Sequence, residues 1–144
     1  MFKNLIALDY GDKTIGVAVS KESVALGVET IRRDRENVLR ASLRRLAELI
    51  EQYDVSAIVL GFPKNMNNTE GERCAKTLVF KKTLEERFKN IPVILWDERL
   101  STAGARRALS GNIEEKAVID EMAAVFILQG YIDKKRKEEI NESG

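Results

Sequence analysis

The chain of 144 residues is 44% hydrophobic and 33% charged, a composition typical of one globular domain of ordinary size. It has no histidine and a single cysteine, Cys74, which excludes Ser-His and Cys-His nucleophilic pairs, histidine proton shuttles and the usual Cys/His zinc sites. The net charge of +1 carries little information about partners. With no disulfide framework, no apolar run of about 20 residues and no signal-like start, the sequence predicts a cytoplasmic protein that crosses no membrane.

The first third of the sequence predicts three consecutive antiparallel strands. A continuous apolar run covers Leu5 to Leu8, and residues 15–19 alternate between apolar and small or polar side chains. Gly11-Asp12-Lys13 lies between them and predicts a hairpin turn. A third strand is predicted from Val24 to Ile31, in which Gly27 indicates a bulge or an edge position.

The remaining sequence alternates between helical and strand patterns. The predicted elements are a helix from Glu36 to Tyr53, a strand from Ala57 to Leu60, a helix capped by Thr69 and Glu72 that runs to about Lys89, a strand from Val93 to Trp96, a short helix from about Ser101 and a helix from about Val118 to Lys137. This order predicts an α/β fold with a mixed five-stranded sheet, extended by right-handed strand-helix-strand crossovers and flanked by helices. Residues 1–137 are predicted to form one domain, followed by a frayed tail at 138–144.

Two acidic residues follow buried strands of this predicted sheet. Asp9 ends the first strand, and Glu98 comes after the last. Ligands of open α/β sheets bind beyond the carboxyl ends of strands, near the point where the winding reverses. We therefore expect both carboxylates to reach one crevice.

A third acid, Asp120, lies in the last predicted helix. Helical spacing places it on the same stripe as Ala123, Ala124, Ile127 and Tyr131, and this stripe is predicted to face the sheet. The neighbouring acid, at position 121, falls on a different face and is predicted to be solvated. A carboxylate on the buried face needs a partner or a metal ion, because an unpaired buried charge is costly.

Each acid also has an ordinary structural interpretation. Asp9 could accept backbone hydrogen bonds in the hairpin turn, Glu98 could pair with Arg99, and Asp120 could interact with the helix dipole. Three carboxylates at one sheet edge would, however, repel one another unless a cation lay between them. Hard cations such as Mg²⁺ or Mn²⁺ take the oxygen ligands that these residues offer.

Four motifs carry a resemblance to a known family: "ALDYGDKTIGVAVS", "VLGFPKNMNNTEGER", "WDERLST" and "IDEMAAVFILQGYID". In this order, and across nearly the whole chain, they resemble the YqgF family of bacterial RuvC-like nucleases, also called RuvX. The resemblance implies a ribonuclease H-like fold and a cytoplasmic, metal-dependent endonuclease that processes the 5′ end of pre-16S rRNA in ribosome biogenesis. Resolution of Holliday junctions, four-way DNA, is the competing assignment within the family.

The resemblance also assigns site residues. It implies that Asp9, Glu98 and Asp120 are the catalytic residues and the ligands of Mg²⁺ or Mn²⁺, through which a water would attack the phosphodiester bond. The residues expected to contact the substrate are Lys13, Lys64, Asn65, Arg99 and Thr102. Where the family commonly has Met-Asp-Gly-Thr, this chain has Met-Asn-Asn-Thr at 66–69, so a ligand role for that loop is in doubt.

Two interpretations from other classes stay open. Asp9-x-Gly11 followed by Gly16 also resembles the first phosphate loop of the actin and sugar-kinase group, but those ATP-binding proteins pair two such domains. The other is an RNA-binding or ribosome-binding module with weak or no catalysis. The expected partners are precursor rRNA or branched DNA and ribosomal precursor particles, with the chain as a monomer or a homodimer.

Three clusters of basic residues are interpreted as solvated helix faces or ends. The clusters are Arg32 with Arg33 and Arg35, Arg40 with Arg44 and Arg45, and the run at 134–137. Acidic residues are interleaved with each of them, which is typical of a solvated surface.

Overall fold

The computed structural model describes residues 4–62, 71–97 and 113–143, and within this last helix it describes side chains only between residues 121 and 140. The elements are β1 Leu5–Tyr10, β2 Thr14–Lys21, β3 Val24–Arg32, α1 Arg40–Gln52, β4 Ala57–Phe62, α2 Glu72–Arg87, β5 Val93–Asp97 and α3 Ile113–Ser143. The short helix predicted from about Ser101 lies outside the described residues.

The five strands form one sheet in the order β3-β2-β1-β4-β5. β1 pairs antiparallel with β2 and β2 antiparallel with β3, whereas β4 and β5 run parallel to β1. The predicted mixed five-stranded sheet is therefore confirmed. The edge position of β3 is confirmed as well, and its register with β2 shifts at Gly27, where a bulge was predicted.

Four of the five strands point in the same direction. β3 runs parallel to β1, because two successive antiparallel pairings restore the direction, and β4 and β5 are parallel to β1 by pairing. Their carboxyl ends meet at one side of the sheet, which we call the carboxyl edge. Segments that leave these strands there come together in space.

Both faces of the sheet are covered by helices. On one face, Ile6 and Leu8 of β1 pack with buried residues of α1 and α2, such as Leu46 and Phe80. On the other face, the alternate strand residues pack with α3. A sheet buried on both faces explains why β1 and β4 have continuous apolar sequences.

α1 begins at Arg40, so the prediction of a helix from Glu36 was wrong. The Arg33 side chain donates a hydrogen bond from Nε to the Glu36 carbonyl (3.0 Å), and the Val38 N–H donates to the Arg35 carbonyl (3.2 Å). These bonds hold residues 35–38 in a turn, so the helix starts only after it.

The other two helices also differ at their ends from the prediction. α2 has Gly71 as its N-cap, so the capping box that the sequence predicted is wrong: Glu72 is the first helical residue, and its carboxylate lies 3.3 Å from Lys76 Nζ. α3 runs from Ile113 to Ser143, beyond both predicted ends, because good helix formers flank its apolar centre. Among the described residues no helix has the length and apolarity that a membrane span requires.

Candidate functional site at the carboxyl edge

Asp9 is a buried carboxylate near the end of β1, with only 4% of its surface exposed. The strand continues to Tyr10, one residue beyond the predicted end, because Asp9 pairs with Gly16 and Tyr10 with Ile15. On the other side the strand register carries on from Leu8–Leu60, which places Gly61 beside Asp9. Neither neighbouring strand adds a side chain beside the carboxylate, because both positions are glycines.

Strand alternation assigns Asp9 to the face that α3 covers. Leu5 and Ala7 of β1 pack in the cluster with α3, whereas Ile6 and Leu8 pack on the opposite face. Asp9 continues the first series, because successive side chains alternate across a strand. The buried acid therefore lies on the same side of the sheet as the helix that carries Asp120.

β5 ends at the same edge with Asp97. Asp97 pairs with Phe62 of β4, so it lies one step farther along the sheet than Trp96, which pairs with Gly61. Trp96 packs in the α3-side cluster, and alternation therefore places Asp97 on the opposite face from Asp9. The predicted site residues Glu98, Arg99 and Thr102 follow this strand and lie outside the described residues, as do Lys64 and Asn65.

The stripe predicted on α3 is confirmed where its side chains are described. Ala123, Ala124 and Ile127 are fully buried against the sheet, and Tyr131 packs beside them, with its ring 6.0 Å from that of Trp96 in an edge-to-face contact. The two alanines allow the helix to approach the strands closely.

The backbone of α3 also places Asp120 relative to the carboxyl edge. Position 121 lies against Gly27 of β3, and farther along the helix Gln129 accepts a hydrogen bond from the Ala25 N–H (2.9 Å). From Gly27 to Ala25, β3 leads away from the carboxyl edge. The N-terminal part of α3, which includes Asp120, is thus the part nearest that edge.

One expectation about α3 was wrong. Glu121, predicted to be solvated, is half-buried, and its side chain covers Gly27, where an added methyl group would collide with the carboxylate. A larger residue at position 27 would require the Glu121 side chain to move.

Lys13, a predicted substrate contact, lies in the predicted hairpin turn between β1 and β2. The turn is closed by a hydrogen bond from the Gly11 N–H to the Thr14 carbonyl (2.7 Å). The Lys13 side chain is exposed and has no ion-pair partner among residues 4–62, 71–97 and 121–140. An exposed ammonium group three residues beyond the end of β1 is suited to contact a phosphate near Asp9.

Sequence reasoning missed the role of Arg33, which it placed on a solvated face. Arg33 is only 9% exposed, and Nη2 donates hydrogen bonds to the carbonyls of Gly11 (2.7 Å) and Asp12 (2.7 Å). Its guanidinium carbon lies 4.8 Å from the ring centroid of Tyr10, which stacks on Phe80. Ile31 is buried, and alternate residues of a strand share a face, so the sequence pattern could have predicted that Arg33 is buried too.

Other basic side chains at this edge are held by carboxylates. Arg45 binds both carboxylate oxygens of Glu29, at 3.0 and 2.6 Å, and hydrogen bonding to that residue raises the pKa of Arg45. Lys76 forms ion pairs with Glu36, Asp12 and position 72, and the hydrogen bond to Glu36 raises its pKa. These two cations are already neutralised by the protein.

The part of the site that the structure describes offers one carboxylate with the character of a metal ligand. Asp9 is buried, rigidly placed and acidic, as a ligand for a hard cation should be. Within the described side chains no three acidic or cysteine residues are grouped closely enough to bind a metal ion. The other two predicted ligands, Glu98 and Asp120, are not among those side chains.

Comparison with known proteins gives consistent matches along nearly the full chain. The sequence profile of the RuvX family, described as Holliday junction resolvase, matches residues 3–134. A protein of Agathobacter rectalis named "Putative pre-16S rRNA nuclease" is 52% identical over 135 residues, covering 90% of this chain and 94% of that protein. A protein of Geobacillus sp. with the same name is 51% identical, covering 92% and 99%.

A solved structure shares the fold. T. thermophilus RuvC in complex with Holliday junction substrate matches with a TM-score of 0.54 and 12% identity, covering 93% of this chain and 96% of that chain. This likeness confirms the predicted ribonuclease H-like fold.

Proposed function

This chain belongs to the RuvX family, and from its carboxyl edge we propose that it is a metal-dependent endonuclease that hydrolyses phosphodiester bonds in nucleic acid. One observation carries the proposal: Asp9 places a buried carboxylate at the carboxyl edge, on the face covered by the helix that contains Asp120. The pre-16S rRNA named for the relatives is the substrate that we favour, with cleavage at its 5′ end.

Strand alternation supports Glu98 over Asp97 as the second acid. Asp97 is on the face away from Asp9, which leaves Glu98, the acid that the family resemblance assigns, as the candidate. We therefore propose that Asp9, Glu98 and Asp120 hold Mg²⁺ or Mn²⁺. When bound, such ions lower the pKa of a water and stabilise the charge on the leaving oxygen.

The protein's own groups have three tasks in this mechanism. Asp9 is fixed by its strand, which avoids reorganisation when negative charge develops. Lys13, together with Lys64, Asn65, Arg99 and Thr102, is proposed to bind phosphates on either side of the cleaved bond and so to align it. The chain has no histidine, so proton transfer falls to carboxylates and water.

A direct cleavage assay tests this proposal. The full-length protein is incubated with end-labelled precursor rRNA that contains the 5′ end of 16S rRNA, and separately with a four-way DNA junction, in Mn²⁺ and in EDTA. We expect Mn²⁺-dependent cleavage of the RNA. Cleavage of the junction alone would instead support the resolvase described for the family.

Failure to cleave either substrate would contradict the nuclease proposal. If the protein then still bound the precursor RNA in EDTA, the RNA-binding module would be the better interpretation. RNA binding in EDTA does not depend on cleavage, so it distinguishes an RNA-binding module from a protein with neither activity.

A further inference from the structure

A cleft of about 430 Å³ opens between the end of β3 and the start of α1, beside the turn that carries Lys13. Its lining residues are Arg32, Arg33, Asp34, Arg35, Val38 and Ala41. β3 ends at the carboxyl edge, where Arg32 pairs with Thr14 at the start of β2. β3 and β1 are separated only by β2, so the cleft lies about 10 Å from β1 across the sheet.

The two outer arginines of this cleft differ from the other basic side chains nearby. Arg32 and Arg35 are exposed, and neither forms an ion pair within the described residues. Arg45 and Lys76 behave differently, because each is bound by two or more carboxylates. Of the charged groups in the lining, three are guanidinium groups and one is a carboxylate, Asp34, so the cleft carries an excess of positive charge.

Hydrogen bonds hold Arg33 in the lining of the cleft. The Arg33 backbone N–H donates to the Lys13 carbonyl (2.9 Å), and its side chain donates to the carbonyls of Gly11, Asp12 and Glu36. Arg33 thereby joins the cleft to the turn that carries Lys13. Its Nη1 is buried without a hydrogen-bond partner in the described structure, which leaves one donor uncompensated.

We propose that this cleft binds the phosphodiester backbone of the substrate, with Arg32 and Arg35 as the contacts. The inference rests on the proposed function, since it extends the path of the same nucleic acid beyond Lys13. About 10 Å across the sheet equals the rise of about three nucleotides along the axis of a duplex. Guanidinium groups suit this task, because their paired donors match the geometry of phosphate oxygens.

The test compares two double variants of the full-length protein. Arg32→Ala/Arg35→Ala removes the proposed contacts, and Lys21→Ala/Lys89→Ala removes two exposed cations at the opposite edge of the sheet. Binding of single-stranded RNA and of DNA with the same sequence is measured in EDTA between 50 and 200 mM salt, and melting temperatures are recorded as a control for folding.

We expect the arginine variant to bind both nucleic acids about tenfold more weakly at 50 mM salt, with a slope of log K against log salt shallower by about 1.4. The lysine variant should match the parent. Equal binding by the arginine variant and the parent, or a loss confined to RNA or to DNA, would overturn the assignment of a phosphate contact.

Cleavage by the parent protein, measured on the same preparations, separates this inference from the proposed function. If the parent cleaves in Mn²⁺ and the arginine variant binds as tightly as the parent, the cleft is not a phosphate contact, and the proposed nuclease activity stands. If the parent does not cleave and the arginine variant binds weakly, the proposed nuclease activity is wrong, and the cleft is supported as a nucleic-acid contact.

Discussion

Asp97 and Glu98 are adjacent acids for which the sheet predicts different roles. Asp97 belongs to the face opposite Asp9, whereas Glu98 is proposed as a metal ligand. We expect Glu98→Gln to reduce Mn²⁺-dependent cleavage by at least about a hundredfold, because an amide replaces a charged ligand. Asp97→Asn is the matched control and should keep most of the activity.

Cleavage rates of the two variants, with thermal melts to confirm folding, decide between the acids. Activity lost in Asp97→Asn and kept in Glu98→Gln would reverse the assignment. Such a result would mean that strand alternation does not select the second acid.

Arg33 and Arg32 are also neighbours with different environments. Arg33 is buried and donates to three carbonyls, whereas Arg32 is exposed. Arg33→Ala should lower the free energy of unfolding by about 2–3 kcal/mol, because three carbonyls lose a charged donor and Tyr10 loses the guanidinium that packs on it. Arg32→Ala should change it by less than about 0.5 kcal/mol. Denaturant unfolding measures both, and equal effects would refute the structural role of Arg33.

At the scale of elements, the close approach of α3 to the sheet links packing to the proposed activity. Ala124 is fully buried at this contact, whereas Ala75 is exposed on α2. Ala124→Leu should lower the free energy of unfolding by about 1–3 kcal/mol through overpacking. It should also lower the cleavage rate, up to about a hundredfold, because α3 carries Asp120 and a shift of about 1 Å misplaces it.

Ala75→Leu is the matched control for this substitution. It adds the same side chain to an exposed helical position and should leave both stability and cleavage nearly unchanged. Unfolding and cleavage are measured on both variants. A stable, fully active Ala124→Leu protein would show that the spacing between α3 and the sheet does not position the site.

Over the whole molecule, the sequence predicted the sheet better than the element ends. Periodicity identified the five strands and three of the helices, because apolar spacing follows directly from which face is buried. The start of α1 depended on the bond from the Arg33 side chain to the Glu36 carbonyl, and Arg33 is itself held by Tyr10 and by its bonds to the turn between β1 and β2. No local pattern contains that information.

The candidate site was predictable to a similar degree. Asp9 was found because an acid after a buried apolar run is unusual, and the stripe of α3 followed from helical spacing. The burial of Arg33 and the cover of Gly27 by Glu121 were missed, because both depend on contacts between segments far apart in the chain. The assignments of Glu98, Asp120 and the substrate contacts at 64, 65, 99 and 102 stay predictions.

The Mn²⁺-dependent cleavage rate of precursor rRNA by Asp9→Asn, measured beside that of the parent, tests whether Asp9 binds the metal ion that cleavage requires. The substitution keeps the side-chain shape and removes one negative charge, so the metal-free protein should be as stable as the parent or slightly more stable. We expect cleavage to be lost almost completely, while RNA binding in EDTA is kept or improved. A variant that folds and cleaves at the parental rate would contradict the metal-dependent nuclease site at Asp9.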